Sequence, residues 1–192
     1  AKAANREEAM KLIAPVEAEV RELLGAAIFA ADDETMEHVV GKLLRVHHKT
    51  VAACEDLTCG QLAERLQTAG MDCFGAGFIC NSEASIRALV KNVRDLENVE
   101  ALLKEPVALT DELARAARKL SGCDFGLALH AVADPHSQIQ NLASGQAYVS
   151  LTDGKKFLRR ESASAGRGAY DRSRMTLNAI DLLRTALVEG MS

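Results

Sequence analysis

An α/β fold, with helices packed on both faces of a mixed sheet, is predicted by three observations. Short apolar runs alternate with amphipathic helical patterns along most of the chain. Asp153-Gly154 joins two strand-like runs and marks a hairpin, so the sheet is not purely parallel. Several helices carry their own stop and start signals. Together these features give a three-layer α/β/α sandwich.

The elements follow in order. Pro15 can open a helix at its first turn. Val16, Val20, Leu23 and Leu24 stripe that helix and Gly25 closes it. This region, 1–31, is expected to be a helical arm, and 32–192 the domain proper. Asp32-Asp33-Glu34 supply acidic capping for a helix whose stripe is Met36, Val39, Val40, Leu43 and Leu44. A strand over Thr50–Cys54 passes through a polar turn, Glu55–Gly60, into a helix over Thr58–Ala69. Phe74–Cys80 is a second strand, and Ser82 caps a helix carrying Ile86, Leu89, Val90 and Val93. A helix from Pro106 to Leu120 precedes the apolar strand Phe125–Val132. A loop holding Asp134-Pro135-His136 follows. The hairpin strands are Gln146–Thr152 and Lys155–Glu161, and the last helix runs from Ala169 to Val188.

Composition narrows the function. The formal charge of −4 over 192 residues argues against a nucleic-acid or anionic-membrane surface. No apolar run reaches the length of a membrane span, and no signal-peptide pattern opens the chain. The five cysteines, Cys54, Cys59, Cys73, Cys80 and Cys123, include no CxxC pair. They read as reduced thiols of a cytoplasmic protein. Trp is absent and aromatics are few, so a base-stacking platform is not expected.

The Glu55–Gly60 turn carries the chemistry. A strand that turns into a helix aims the first helical N–H groups at one point, which suits a phosphate or another anion. Thr58 and Gly60 can add a hydroxyl and backbone N–H groups. Cys59 at a helix start is a candidate thiolate, with His130 or His136 as its base, or else a small packed side chain. Glu55, Asp56 and His136 form a weak candidate metal set without ligand spacing. Asp56 is also placed to cap the helix. His130, inside an apolar strand, reads as a hydrogen-bonded core histidine, and His47-His48 as the end of a helix. Arg167, Arg172 and Arg174, leading into the last helix, are either a solvated face or phosphate partners.

Several strings in this order resemble the C-terminal domain of the competence/damage-inducible CinA family. DDETMEHVVGKLL resembles DDETLEEVVGELL, and CEDLTCGQLAERL resembles ESCTGGLLAALL. GFICNSEASI is similar to GFVTYSNEAKI, KEPVALTDELARAA to SEPVAREMAEGA, FGLALHAVADP to YGLAVTGIAGP, and AGRGAYDRSRMTLNAIDLL to GDREAVRRQAVEAALDLL. The likeness runs from Asp32 to the C-terminus. It implies a five-stranded mixed sheet and self-association into a homo-oligomer. It also implies hydrolysis of the amide of nicotinamide mononucleotide, with no cofactor. A molybdopterin-binding-like domain precedes this one in full-length relatives, and PVEAEVRELLGAAIFA resembles the connection from it, which makes 1–31 a linker from a preceding domain.

The family's catalytic candidates are a serine, a lysine and an arginine. In this chain the serine position is Asp56 and the lysine position is Ser85. Asn81 and Ser82 fall in the family's tyrosine-serine-asparagine run, Gly168 falls at the arginine with Arg167 beside it, and Arg172 matches a later arginine. In the loop, Asp134 replaces a glycine and His136 an aspartate. Asp56 cannot serve as the usual acyl nucleophile, nor Ser85 as the base. The expectation is a catalytically impaired member that binds a pyridine mononucleotide or another phosphate-bearing small molecule, or serves in assembly. The alternative is an active amidohydrolase with substitute residues. Thr58, Gly60, Asn81, Ser82, Arg167 and Arg172 are the candidate ligand contacts, and Cys59 is the weak catalytic candidate.

Overall fold

The computed structural model describes residues 1–70, 72–93, 99–133, 144–165 and 167–191. The chain divides into two compact units, Ala1–Thr35 and Met36–Ser192.

The first unit is built on α1 (Arg6–Leu24). Asn5 caps it by accepting from Glu8 N at 2.9 Å, and Glu7 and Glu8 favour its positive end. The helix therefore begins well before Pro15, which lies inside it. Strong helix formers from Arg6 to Ala14, behind a good cap, outweigh the one hydrogen bond that proline forfeits. Met10, Leu12, Val16, Val20, Leu23 and Leu24 are all exposed within this unit.

The second unit holds a five-stranded sheet in the order β2-β1-β3-β4-β5. The strands are β1 (Val51–Glu55), β2 (Phe74–Ile79), β3 (Phe125–Ala133), β4 (Ser144–Thr152) and β5 (Phe157–Ala165). β1 runs parallel to both β2 and β3, whereas β3–β4 and β4–β5 are antiparallel. The mixed sheet is thus as expected. The hairpin turn is longer than a two-residue loop, because Thr152 pairs with Phe157. Asp153 Oδ1 accepts from Lys155 N and Lys156 N, at 2.8 and 2.9 Å, and builds that turn with its own side chain.

The helices are α2 (Met36–Val46), α3 (Gln61–Ala69), α4 (Glu83–Val90), α5 (Val99–Leu102), α6 (Pro106–Ser121) and α7 (Ala169–Val188). Alternation along the strands divides the core in two. Val51 and Ala53 of β1 and Phe125, Leu127 and Leu129 of β3 pack with α2, α3 and α7. Ala52, Cys54 and Ala128 face α4, α5 and α6. The helical layers lie on opposite faces, which completes the three-layer sandwich.

Two glycines allow the layers to approach. A Cβ on Gly41 of α2 would sit 2.1 Å from the Ala69 carbonyl oxygen, and one on Gly126 of β3 would sit 1.9 Å from the Ala114 oxygen. Backbone cannot swing aside as a side chain can. Gly126→Ala should therefore force α6 off the sheet and cost about 2 kcal/mol, read as a lower urea midpoint with unchanged slope.

Topology locates the site. The connection from β1 to β2 passes through α3 on one face, and the return from β2 to β3 crosses the other face through α4, α5 and α6. The chain thus leaves β1 in one direction and reaches β3 in the other. The carboxyl ends of β1 and β3 flank the switch point where such sheets open a crevice.

Candidate functional site

The polar turn after β1 is organised by Glu55, whose side chain is almost wholly buried. Glu55 Oε2 accepts from Leu62 N at 3.0 Å and from the Thr58 hydroxyl, and Oε1 accepts from Ala63 N at 2.8 Å. The start of α3 is therefore met by the chain's own carboxylate. This differs from the expectation that Asp56 caps the helix and that the opening N–H groups wait for an anion. The cause is parity. Glu55 shares a face with Val51 and Ala53 and points towards α3, whereas Asp56 turns to the other side.

Asp56 instead joins β3. His130 Nδ1 donates to Asp56 Oδ2 at 2.6 Å, and Ala131 N approaches both carboxylate oxygens at 3.2 Å. Leu57 N also donates to Oδ1. Both members of the pair are about nine-tenths buried. His130 shares the face of Ala128, which is why it meets Asp56 on the α4 side of the sheet. Its other ring nitrogen, Nε2, has no hydrogen-bond partner among the described residues.

A cleft of about 430 Å³ opens over this pair. Its polar lining is Asp56, Cys59, Asn81, Ser82, Glu83 and His130, and Leu57, Cys80, Ile86 and Ala131 complete it. The size suits a small ligand. Cys59 sits at its rim, exposed, with its thiol against the Leu57 carbonyl at 3.5 Å. Its φ of +54° is uncommon for a residue with a side chain, and Gly60 follows at +99°. These two left-handed residues turn the chain into α3.

The other candidates have structural partners. Thr58 is buried on Glu55. Ser85 is the third residue of α4 and forms a capping box with Ser82: Ser82 N donates to Ser85 Oγ at 3.1 Å, and Ser85 N to Ser82 Oγ at 3.2 Å. Arg167 lies over the Tyr170 ring, and its backbone N–H donates to buried Asp171 at 2.7 Å. Arg172 is half-buried in the first turn of α7. One turn on, Thr176 bonds the side chain of Gln61 at the first position of α3. Among the described residues, neither Arg167 nor Arg172 lines the cleft. Asp134 and His136 lie outside the described residues.

Two further features were not legible in the sequence. One is the Asp56–His130 pair. The other is that Cys54 on β1 and Cys80 just beyond β2 share one buried cluster on the same face of the sheet. The Cys54 thiol is pushed well up, first by its hydrogen bond to Cys80 and then by burial. The same bond draws the Cys80 thiol below its ordinary value, against burial and the nearby Asp56 charge. No three His, Cys, Asp or Glu side chains converge as metal ligands among the described residues. No described helix is long and apolar enough to cross a membrane.

Fold and cleft together define an α/β domain of the doubly flanked, mixed-sheet class, with a crevice at its switch point. The chain belongs to the CinA C-terminal domain family, whose model matches residues 33–187. A CinA-like protein of Acaryochloris marina is 31% identical over 197 residues, covering 100% of this chain and 46% of that protein. A CinA-like protein of Thermosynechococcus vestitus is 31% identical over 193 residues, covering 97% and 46%. The chain thus spans about half the length of the curated relatives it matches. A CinA superfamily protein from Klebsiella pneumoniae superposes with a TM-score of 0.69 at 17% identity, over 80% of this chain and 96% of that one. An Agrobacterium tumefaciens competence/damage inducible protein gives 0.61 at 15% identity, over 83% and 98%. These two share the fold.

Proposed function

We propose that this domain binds a small phosphate-bearing molecule, with a pyridine mononucleotide as the first candidate, and does not run the serine-dependent amide hydrolysis that the family resemblance implies. One observation carries the reading. The carboxylate of Asp56, which the resemblance sets at the family's serine position, is held by His130, Ala131 N and Leu57 N. A carboxylate so fully engaged neither attacks a carbonyl nor releases a proton to a leaving amine. Ser85, at the lysine position, is tied into the cap of α4. Asn81, Ser82 and His130 Nε2 remain as ligand contacts along the cleft, and Arg167 and Arg172 as phosphate partners of a ligand reaching towards α7. A homo-oligomer in the cytoplasm is the setting we propose.

The second reading is an amidohydrolase with substitute residues. His130 held through Nδ1 by Asp56 presents Nε2, the base half of a nucleophile–histidine–aspartate arrangement. Cys59 at the cleft rim would be its nucleophile, although its thiol bonds Leu57 O instead.

Ammonia release from nicotinamide mononucleotide, run beside calorimetry on the same preparation, separates the two. We expect saturable binding without ammonia above the buffer rate, and His130→Ala should weaken binding about tenfold, the worth of one hydrogen bond to a polar ligand. Turnover that vanishes in Cys59→Ala would overturn the first reading in favour of the second. Neither turnover nor binding would leave assembly as the role of the domain.

A further inference from the structure

We propose that the cleft takes the carboxamide end of its ligand and rejects the corresponding carboxylate, with His130, set by Asp56, as the residue that tells them apart. The inference rests on the reading of the cleft as a ligand site and adds which chemical group faces it. A single hydrogen bond fixes the ring. A carboxylate only accepts, so His130 Nδ1 carries the proton it gives to Asp56 Oδ2 at 2.6 Å. In the neutral imidazole the other nitrogen, Nε2, is then an acceptor. It has no hydrogen-bond partner among the described residues, and only 9% of the His130 surface is exposed. A buried acceptor on the wall of a cleft asks for a donor, and a carboxamide supplies one through its NH2. A carboxylate brings further acceptors and a negative charge to the same point.

The field works in the same direction. Among the described residues that line the cleft there is no Lys or Arg, whereas Asp56 and Glu83 both belong to the lining. Asp56 is about nine-tenths buried, so salt screens it little. Arg87 bonds both Glu83 and Glu100, which divides one positive charge between two carboxylates. The helix starts beside the cleft offer no substitute. Glu55 takes the N–H groups of Leu62 and Ala63 in α3, and α4 gives Ser85 N to Ser82 Oγ and carries Glu83 in its first turn. Leu57, Ile86 and Ala131 supply apolar surface for a flat ring that bears the amide. The ring end of a pyridine mononucleotide therefore fits this pair, and its phosphate lies away from it.

Asp56 acts here as a positioning residue, because it locks the tautomer. In Asp56→Asn the Oδ1 position still faces Leu57 N and Ala131 N, so the amide turns its NH2 towards His130. Nδ1 must then accept, the ring proton moves to Nε2, and the cleft presents a donor in place of an acceptor.

The test is calorimetry on the whole chain at about pH 8, where free imidazole is neutral. It compares nicotinamide mononucleotide with nicotinic acid mononucleotide. The amide form is expected to bind at least about tenfold more tightly, and Asp56→Asn to narrow or reverse that ratio. Equal affinities, or tighter binding of the acid, would overturn the inference and leave the binding reading in place. If neither mononucleotide binds, that reading fails, and the ring fragments decide the inference by themselves. Nicotinamide should then move the His130 ring signals in an NMR titration, and nicotinate should not. Equal shifts with both, or none with either, would overturn it. The comparison on the unmodified chain holds even if the variant fails to fold.

Discussion

Glu55→Ala is expected to lower stability by about 4 kcal/mol, a large share of what a domain of this size holds. The carboxylate is buried and accepts from the Thr58 hydroxyl and from the N–H groups of Leu62 and Ala63. Removing it strands three donors in a dry turn and leaves the positive end of α3 without its counter-charge. Loss of a helix cap alone costs about 1 kcal/mol, and each buried donor left unsatisfied adds about as much or more. Glu55→Gln separates shape from charge. Both carboxylate oxygens accept, so an amide must turn its NH2 towards one of the donors it faces, and a loss of about 2 kcal/mol is expected. Urea denaturation followed by circular dichroism reads both values. Equal losses in the two variants would mean that the cap acts through charge alone, and no loss in Glu55→Ala would remove Glu55 as the organiser of the turn.

The role of Glu55 shows where sequence reading stops. The elements themselves were legible because each carries a local signal. Met36, Val40 and Leu44 are one helical stripe, Asp153-Gly154 marks the hairpin, and Ser82 caps α4 as expected. Pro15 misleads because a strong local breaker can be outvoted by its neighbours. In the site, the partners lie at separations for which no pattern exists. Glu55 reaches across its own turn to residues seven and eight positions on. Asp56 and His130 are 74 residues apart. A carboxylate at the end of an all-apolar strand is itself a signal, since burial demands partners, but it does not say which. The side of the sheet decides between Glu55 and Asp56, and that follows only once the register of β1 is fixed. Cys54 and Cys80 fall in one buried cluster for a similar reason: the parallel pairing of β1 with β2 puts on one face two cysteines whose spacing carries no motif.

The Asp56–His130 pair should behave as a unit when taken apart, with single-variant losses of about 3 kcal/mol that do not add. The resemblance of Phe125–Pro135 to YGLAVTGIAGP sets a threonine against His130, as the resemblance to ESCTGG sets a serine against Asp56. On the proposed reading the two residues therefore form one change. Asp56→Ser alone leaves His130 Nδ1 facing a hydroxyl too short to span the gap and withdraws the acceptor from Ala131 N. His130→Thr alone leaves a buried carboxylate with only backbone donors. The double variant removes both problems at once and should recover about 1–3 kcal/mol relative to the sum of the singles. The cycle bears on function as well as stability. Restoring the family residues at Asp56 and Ser85 while keeping His130 would place a serine beside an unpartnered imidazole, and Ser85→Lys also dissolves the cap of α4. Any attempt to recover amide hydrolysis should therefore include His130→Thr, and only that triple variant tests whether the cleft still positions a substrate. Additive single losses in the cycle would mean that the two residues contribute independently. In that case Asp56, at the serine position of the proposed reading, would have to be explained without its histidine.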